Sequence, residues 1–365
     1  MAVQLSILKR DLNLKLLKQI DFIAAILSTI LSVIFAASGF GIWALIAGVQ
    51  SYLFFNMIVL WFKIKWRPKL SFSFSEFKLL FHFGKYVTAA KVLGQSKIML
   101  PQAIIGKLLG TIPLGYYNFA NRLTSLPNVQ VRGAIAQVLL PAFSQAQDDN
   151  KRLQRGYLKV VYYISIFTFP VMAMIYIVSP ELVNIVFGEK WLPAVPILQL
   201  LCVLGLVEEI FNIVSSIFHA KNRPDIVFKW NLLTLVVHII TILAFVRFGI
   251  VNVVMAIVGV SLILFVLYEW TLHYLIEMRW RDFLGNLYNP FIATTVMLVT
   301  VLSIRSILFS TYISSILVLI IELVIGVLVY GISLYYLDRI ESYNLWKMIR
   351  GGSRKNQVII NLPRG

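Results

Sequence analysis

Cysteine is nearly absent from this sequence. The single Cys202 lies inside an apolar run, so no intrachain disulfide can form, and packing rather than thiol chemistry is its expected role. Charge is also scarce. Asp, Glu, Lys and Arg make up 13% of the 365 residues, and they fall between long apolar runs instead of along the polar faces of amphipathic helices. Catalytic signatures are missing: there is no H-x-x-x-x-D of the acyltransferase type, no paired Asp motif of a glycosyltransferase, no Walker loop and no Cys/His metal spacing. His82, His219, His238 and His273 are scattered over separate apolar runs. No catalytic role, metal or cofactor is therefore expected.

What is present is apolar surface, with hydrophobic residues forming 59% of the chain, well above the share in a soluble domain. A window near 19 residues, the length that crosses a bilayer core, gives ten spans. They run over residues 20–38, 40–62, 78–106, 113–142, 157–178, 194–218, 226–246, 249–272, 289–308 and 311–336. The expected fold class is an all-α integral membrane protein. No n-region, h-region and cleavage site of a secretory signal stand before the first span, which is expected to serve as the insertion signal itself.

Acidic residues number 16 against 33 basic ones, a formal net charge of +17. The excess is not a nucleic-acid stripe, because phosphate binding needs cations gathered on one accessible face and these are divided among loops. They alternate instead. One side of the membrane receives the clusters around Lys9 and Arg10, Lys63 to Lys69, Lys151 to Lys159, Lys221 and Arg223, Arg279 and Arg281, and the tail beyond Arg339. The other side holds little more than Lys107, Lys190, Arg247 and Arg305. The positive-inside rule then puts both termini in the cytoplasm, with anionic membrane lipids as partners of the basic loops.

The spans are not equally apolar. In the fourth, Asn118, Asn121, Ser125, Asn128 and Arg132 recur at steps of three and four, with Arg122 at the flank, a polar stripe roughly 20 Å long at 1.5 Å per residue. Pro127 interrupts the backbone ladder within it. In the third, Gly84, Thr88, Lys91, Gln95 and Gln102 share a face, with Lys85 and Lys97 nearby and Pro101 as a second bend. The sixth span offers Glu208, Asn212, Ser215 and His219, and the seventh Asn231, Thr234, His238 and Thr241. The neutral members of these faces suit hydrogen bonds between packed helices equally well. An ionised group at bilayer depth costs roughly 2.5–3.5 kcal/mol on insertion scales, so Lys91, Arg122, Arg132 and Glu208 point to a cavity or substrate path. Lys85 and Lys97 suit snorkelling or pairing with a carboxylate.

Several stretches resemble a known family. They are I-I-G-K-L-L-G at Ile104 to Gly110, L-G-Y-Y-N-F-A-N-R-L at Leu114 to Leu123, L-L-P-A-F-S at Leu139 to Ser144, F-G-E-K-W-L-P-A at Phe187 to Ala194 and A-K-N-R-P-D at Ala220 to Asp225. With W-A-L-I-A-G at Trp43 to Gly48 and R-P-K-L at Arg67 to Leu70, they resemble the polysaccharide flippases of the MOP superfamily, of the Wzx, colanic-acid and teichuronic-acid exporter type. The resemblance runs from about residue 5 to residue 275.

It implies a MATE-like bundle of two lobes, followed by two additional helices. The implied activity is export of an undecaprenyl-diphosphate-linked oligosaccharide to the outer leaflet of the bacterial cytoplasmic membrane by alternating access. Such a substrate suits the polar faces already described: Lys91, Gln95, Asn118, Asn121, Arg122, Asn128 and Arg132 are the expected substrate-binding residues, Arg122 lying within the matched motif, Glu208 with His238 is the expected ion- or proton-coupling pair, and a polysaccharide polymerase and chain-length proteins are expected partners. Full-length members carry three spans and most of a fourth before the segment that matches Ala2 to Leu12, so the chain resembles a shortened member with ten of fourteen helices. The expected division is 1–62 for the rest of the first lobe, 63–77 for a cytoplasmic linker, 78–275 for the second lobe, 276–336 for two further helices and 337–365 for a basic tail. A small-solute or drug transporter of the same fold, or a non-transporting remnant, are the competing readings. A membrane polysaccharide polymerase ranks behind them, since the longest outer loop, about Ser179 to Pro193, is short.

Overall fold

In the computed structural model the described residues are 14–63, 73–308 and 315–337, with side chains at 14–15, 17, 75–91, 130–142, 145, 307–308 and 315 outside the description. Ten α-helices cover them, with no strand: α1 Leu14–Ala37, α2 Ile42–Lys63, α3 Phe74–Leu109, α4 Thr111–Gln145, α5 Asn150–Phe187, α6 Val195–Ala220, α7 Pro224–Phe245, α8 Ile250–Ile276, α9 Trp280–Leu308 and α10 Ser315–Leu337. Each coincides with one expected span. Eight of them, all but α3 and α4, are long and apolar enough to cross a membrane. The two exceptions are the helices whose cationic and amide stripes dilute their hydropathy.

Several helices overrun the apolar windows. The polar first two turns of α5 extend the helix ahead of the expected span because Asp149 caps it, accepting the Arg152 backbone N–H at 3.0 Å. At its other end Gly188, at φ +88°, closes α5 with bonds from its N–H to Val183 and Asn184, and a 3-10 turn, Glu189–Ala194, leads into α6.

The chain divides into two compact units, residues 1–82 and 83–365. In the first, α1 and α2 form an antiparallel pair around Ile20 and Leu60. The turn between them uses Gly39 and Gly41 at φ +82° and +54°. Along the seam Ser32 donates to the Ala44 carbonyl at 3.0 Å, and Gly48 faces Ser32 so closely that a Cβ there would lie 2.9 Å from its hydroxyl. Further along, Asp21 accepts from Asn56 at 3.0 Å and Tyr52 at 3.2 Å, which supplies donors to a carboxylate within the apolar span.

In the second unit α6 is central, packing on α4, α5 and α8, while α9 and α10 pack on each other and on α5. Two proline kinks of α5 explain how. Pro170 lacks the N–H that would bond the Ile166 carbonyl, and that carbonyl instead accepts the Tyr330 hydroxyl of α10 at 2.7 Å. Pro180 likewise frees the Tyr176 carbonyl, which accepts Ser179 at 2.9 Å and Gln199 of α6 at 3.2 Å. Gly326 lets α10 close onto Met174 of α5, in a core completed by Ile177, Met297 and Val301. The periphery stays apolar and uncovered, with Phe22, Leu45, Ile240, Ile263 and Val327 all exposed, as lipid-facing surface should be.

Candidate transport cavity

Residues of α3, α6, α7 and α8 line a cavity of about 180 Å3 inside the second unit, with α3 contributing Lys97 from beside its polar face. Its polar lining comprises Lys97, Glu208, Thr234, His238 and Ser261, with Phe211 as one wall. Local sequence sets each position. Lys97 stands one turn before the Pro101 bend, and Ile105 beyond that bend packs on Ile242, Val253 and Ile257 to fix α3 against α7 and α8. From there the Lys97 ammonium reaches Asn231 Oδ1 at 3.3 Å and lies 4.9 Å from the Phe211 ring centroid, a cation–π contact. His238 Nε2 and Ser261 Oγ are 3.0 Å apart. Thr234 is occupied with its own helix, donating to the Trp230 carbonyl at 2.7 Å.

The cavity therefore brings an ammonium, a carboxylate and an imidazole to one small, half-open and largely apolar pocket, with Lys97 and His238 half-buried and Glu208 exposed at its edge. Such groups interact more strongly there than in water, and a change of charge on one alters the others. Glu208 and His238, expected as a pair from sequence, do share this cavity. Lys97 was not among the expected site residues; the signal that could have found it is its position one turn before Pro101, where the helix ladder is interrupted.

The residues expected to bind substrate behave differently. Asn118 and Arg122 are exposed on α4, Asn121 is half-buried, and Gln95 is exposed on α3. None of them lines the cavity. Asn128 is 1% exposed with neither amide atom hydrogen-bonded among the described residues. The side chains of Lys91 and Arg132 lie outside the described residues.

A second buried polar cluster was absent from the expected sites. Glu269 of α8, fully buried, accepts the Tyr157 hydroxyl of α5 at 2.7 and 2.8 Å, and His273 one turn later comes within 3.7 Å. Its only trace in the sequence is the i, i+4 spacing of Glu269 and His273; Tyr157 comes from a different helix.

A family model described as "Polysaccharide biosynthesis protein" matches residues 1–196. The chain belongs to the polysaccharide biosynthesis protein family. Among curated members it is similar to the teichuronic acid biosynthesis protein TuaB of Bacillus subtilis, 27% identical over 237 residues that are 65% of this chain and 49% of TuaB. It is also similar to the lipopolysaccharide biosynthesis protein WzxC of Escherichia coli, 36% identical over 46% of this chain and 34% of WzxC. Aligned regions thus span half or less of these two relatives' length. The fold is similar to that of a solved structure of the lipid II flippase MurJ, itself in an inward closed conformation, with a TM-score of 0.66, 19% identity, and coverage of 88% of this chain and 66% of that one.

Proposed function

We propose that this family member serves in the export of a lipid-linked oligosaccharide, carrying an undecaprenyl-diphosphate-linked glycan from the cytoplasmic to the outer leaflet of a bacterial cytoplasmic membrane by alternating access, with both termini cytoplasmic. The observation that carries the reading is the exposure of Asn118 and Arg122 on α4, a helix that lies within a membrane fold. A guanidinium facing hydrocarbon would cost several kcal/mol, whereas one facing a wet path meets a diphosphate favourably. Amides beside it suit a polyhydroxylated glycan. Asn121 and Gln95 extend that polar lining, Lys91 and Arg132 belong to it by sequence spacing, and Asn128, buried at 1% exposure on the same stripe, would join it when the helices move in the transport cycle. Glu208 and His238, with Lys97, form the coupling group, where binding of an ion or proton biases the helices around the cavity. A polysaccharide polymerase and chain-length proteins are the downstream partners of such an exporter.

The test is chromosomal replacement in the native host, with Arg122→Ala and Lys97→Met made separately. Surface glycan should fall to background in both, while membrane-inserted protein stays at the wild-type level on immunoblots. Undiminished glycan in both strains overturns the reading.

A further inference from the structure

Among the described residues, a fully buried carboxyl group that receives no hydrogen bond lies away from the cavity, where α5, α9 and α10 meet. Arg305 of α9 pairs with Glu181 of α5 and donates to the Ile177 carbonyl at 2.6 Å. Glu322 of α10, with 0% exposure, brings Oε1 to 3.9 Å from Arg305 Nε. That separation is too long for a hydrogen bond, and neither oxygen of Glu322 has a hydrogen-bond partner among the described residues. Glu181 Oε2 also lacks one.

The local charge count follows from the sequence. Glu322 is the one charged residue in α10, and the remaining charged residues of α9 and α5, Arg281, Asp282, Lys151, Arg152, Arg155 and Lys159, lie near the opposite ends of their helices. In the adjoining 3-10 turn Glu189 and Lys190 are exposed. The Tyr330 hydroxyl is committed to the Ile166 carbonyl. Two carboxyl groups thus face a single guanidinium in apolar surroundings. If both were ionised the site would carry an uncompensated negative charge, and burying one is far costlier than burying a neutral carboxylic acid.

We propose that Glu181, Arg305 and Glu322 form a proton-binding site. The guanidinium neutralises one carboxylate, and a single proton is kept on the other, chiefly on Glu322, whose oxygens receive no donor. The site is independent of the cavity and of the transport reading, and it sits where the α9–α10 pair is fastened to α5.

Infrared spectroscopy of the purified full chain in detergent tests this through the carbonyl stretch of protonated carboxylic acids. Glu322→Gln should remove one carboxyl's worth of that absorption relative to wild type. Glu181→Gln should remove the same amount, because Glu322 then ionises against Arg305. Arg305→Gln should add one carboxyl's worth, since both acids then lose their counter-charge. If Arg305→Gln does not fold, the two Gln-for-Glu variants decide the matter. Unchanged absorption in both of these would show a fully ionised cluster and overturn the proposal.

Discussion

Replacing Tyr330 by Phe should cost stability because of a proline on another helix. The Tyr330 hydroxyl donates at 2.7 Å to the Ile166 carbonyl, whose ordinary partner four residues on is Pro170. In Tyr330→Phe that carbonyl is left in an apolar core. Hydrogen bonds between membrane helices average roughly 0.6 kcal/mol with a maximum near 1.7. A half-buried bond that satisfies a proline-freed carbonyl belongs in the upper part of that range, so we expect a loss of about 1 kcal/mol. In a Pro170→Ala background residue 170 regains an N–H and the helix can satisfy Ile166 itself. Tyr330→Phe should then cost less than about 0.3 kcal/mol, giving a coupling of roughly 0.7 kcal/mol. Unfolding in mixed detergent and SDS micelles, run as a double-mutant cycle on the full chain, measures it. Equal costs of Tyr330→Phe in the two backgrounds would refute the argument that Pro170 creates the acceptor.

Three other outcomes are expected. Asp21→Ala strands the Asn56 amide, which is 2% exposed, and should destabilise the α1–α2 pair by about 1–3 kcal/mol, with Asp21→Asn costing less because it keeps an acceptor; the same unfolding assay reads both. Gly48→Leu should cost about 1–3 kcal/mol by forcing Ser32 away, and a Ser32→Ala background should recover part of the loss in thermal melts. Asn128→Leu should raise the melting temperature, because it removes a buried amide with no partner, yet lower glycan export if that amide serves the substrate path; unchanged or lowered melting temperature refutes the stability half.

Much of the fold was legible in the sequence because a bilayer imposes a simple rule: each crossing must satisfy its own backbone and present apolar side chains over its length. Ten apolar runs therefore became ten helices, and the stripes on α3, α4, α6 and α7 were readable from steps of three and four. Helical periodicity fixes which residues share a face but not what that face meets. Periodicity put Glu208 and His238 on polar faces of α6 and α7, and both faces reach the same cavity. Lys97, one turn before a proline, had only that position to mark it in the sequence, and the packing of α3 on α7 is what sets its ammonium beside Asn231. Asn118 and Asn128 lie on one stripe, yet one is exposed and the other sealed, since packing partners change along a helix more than 30 residues long.

What the sequence determined by itself was the membrane class, the position of the ten helices among the described residues, and the family. Tertiary structure alone decided the groupings of charge: Tyr157 with Glu269 across 112 residues, and Arg305 with Glu181 across 124. The reason is physical. Hydropathy acts locally and is written residue by residue, whereas a buried charge is satisfied by whatever the fold brings within a few ångströms, however far along the chain that partner lies.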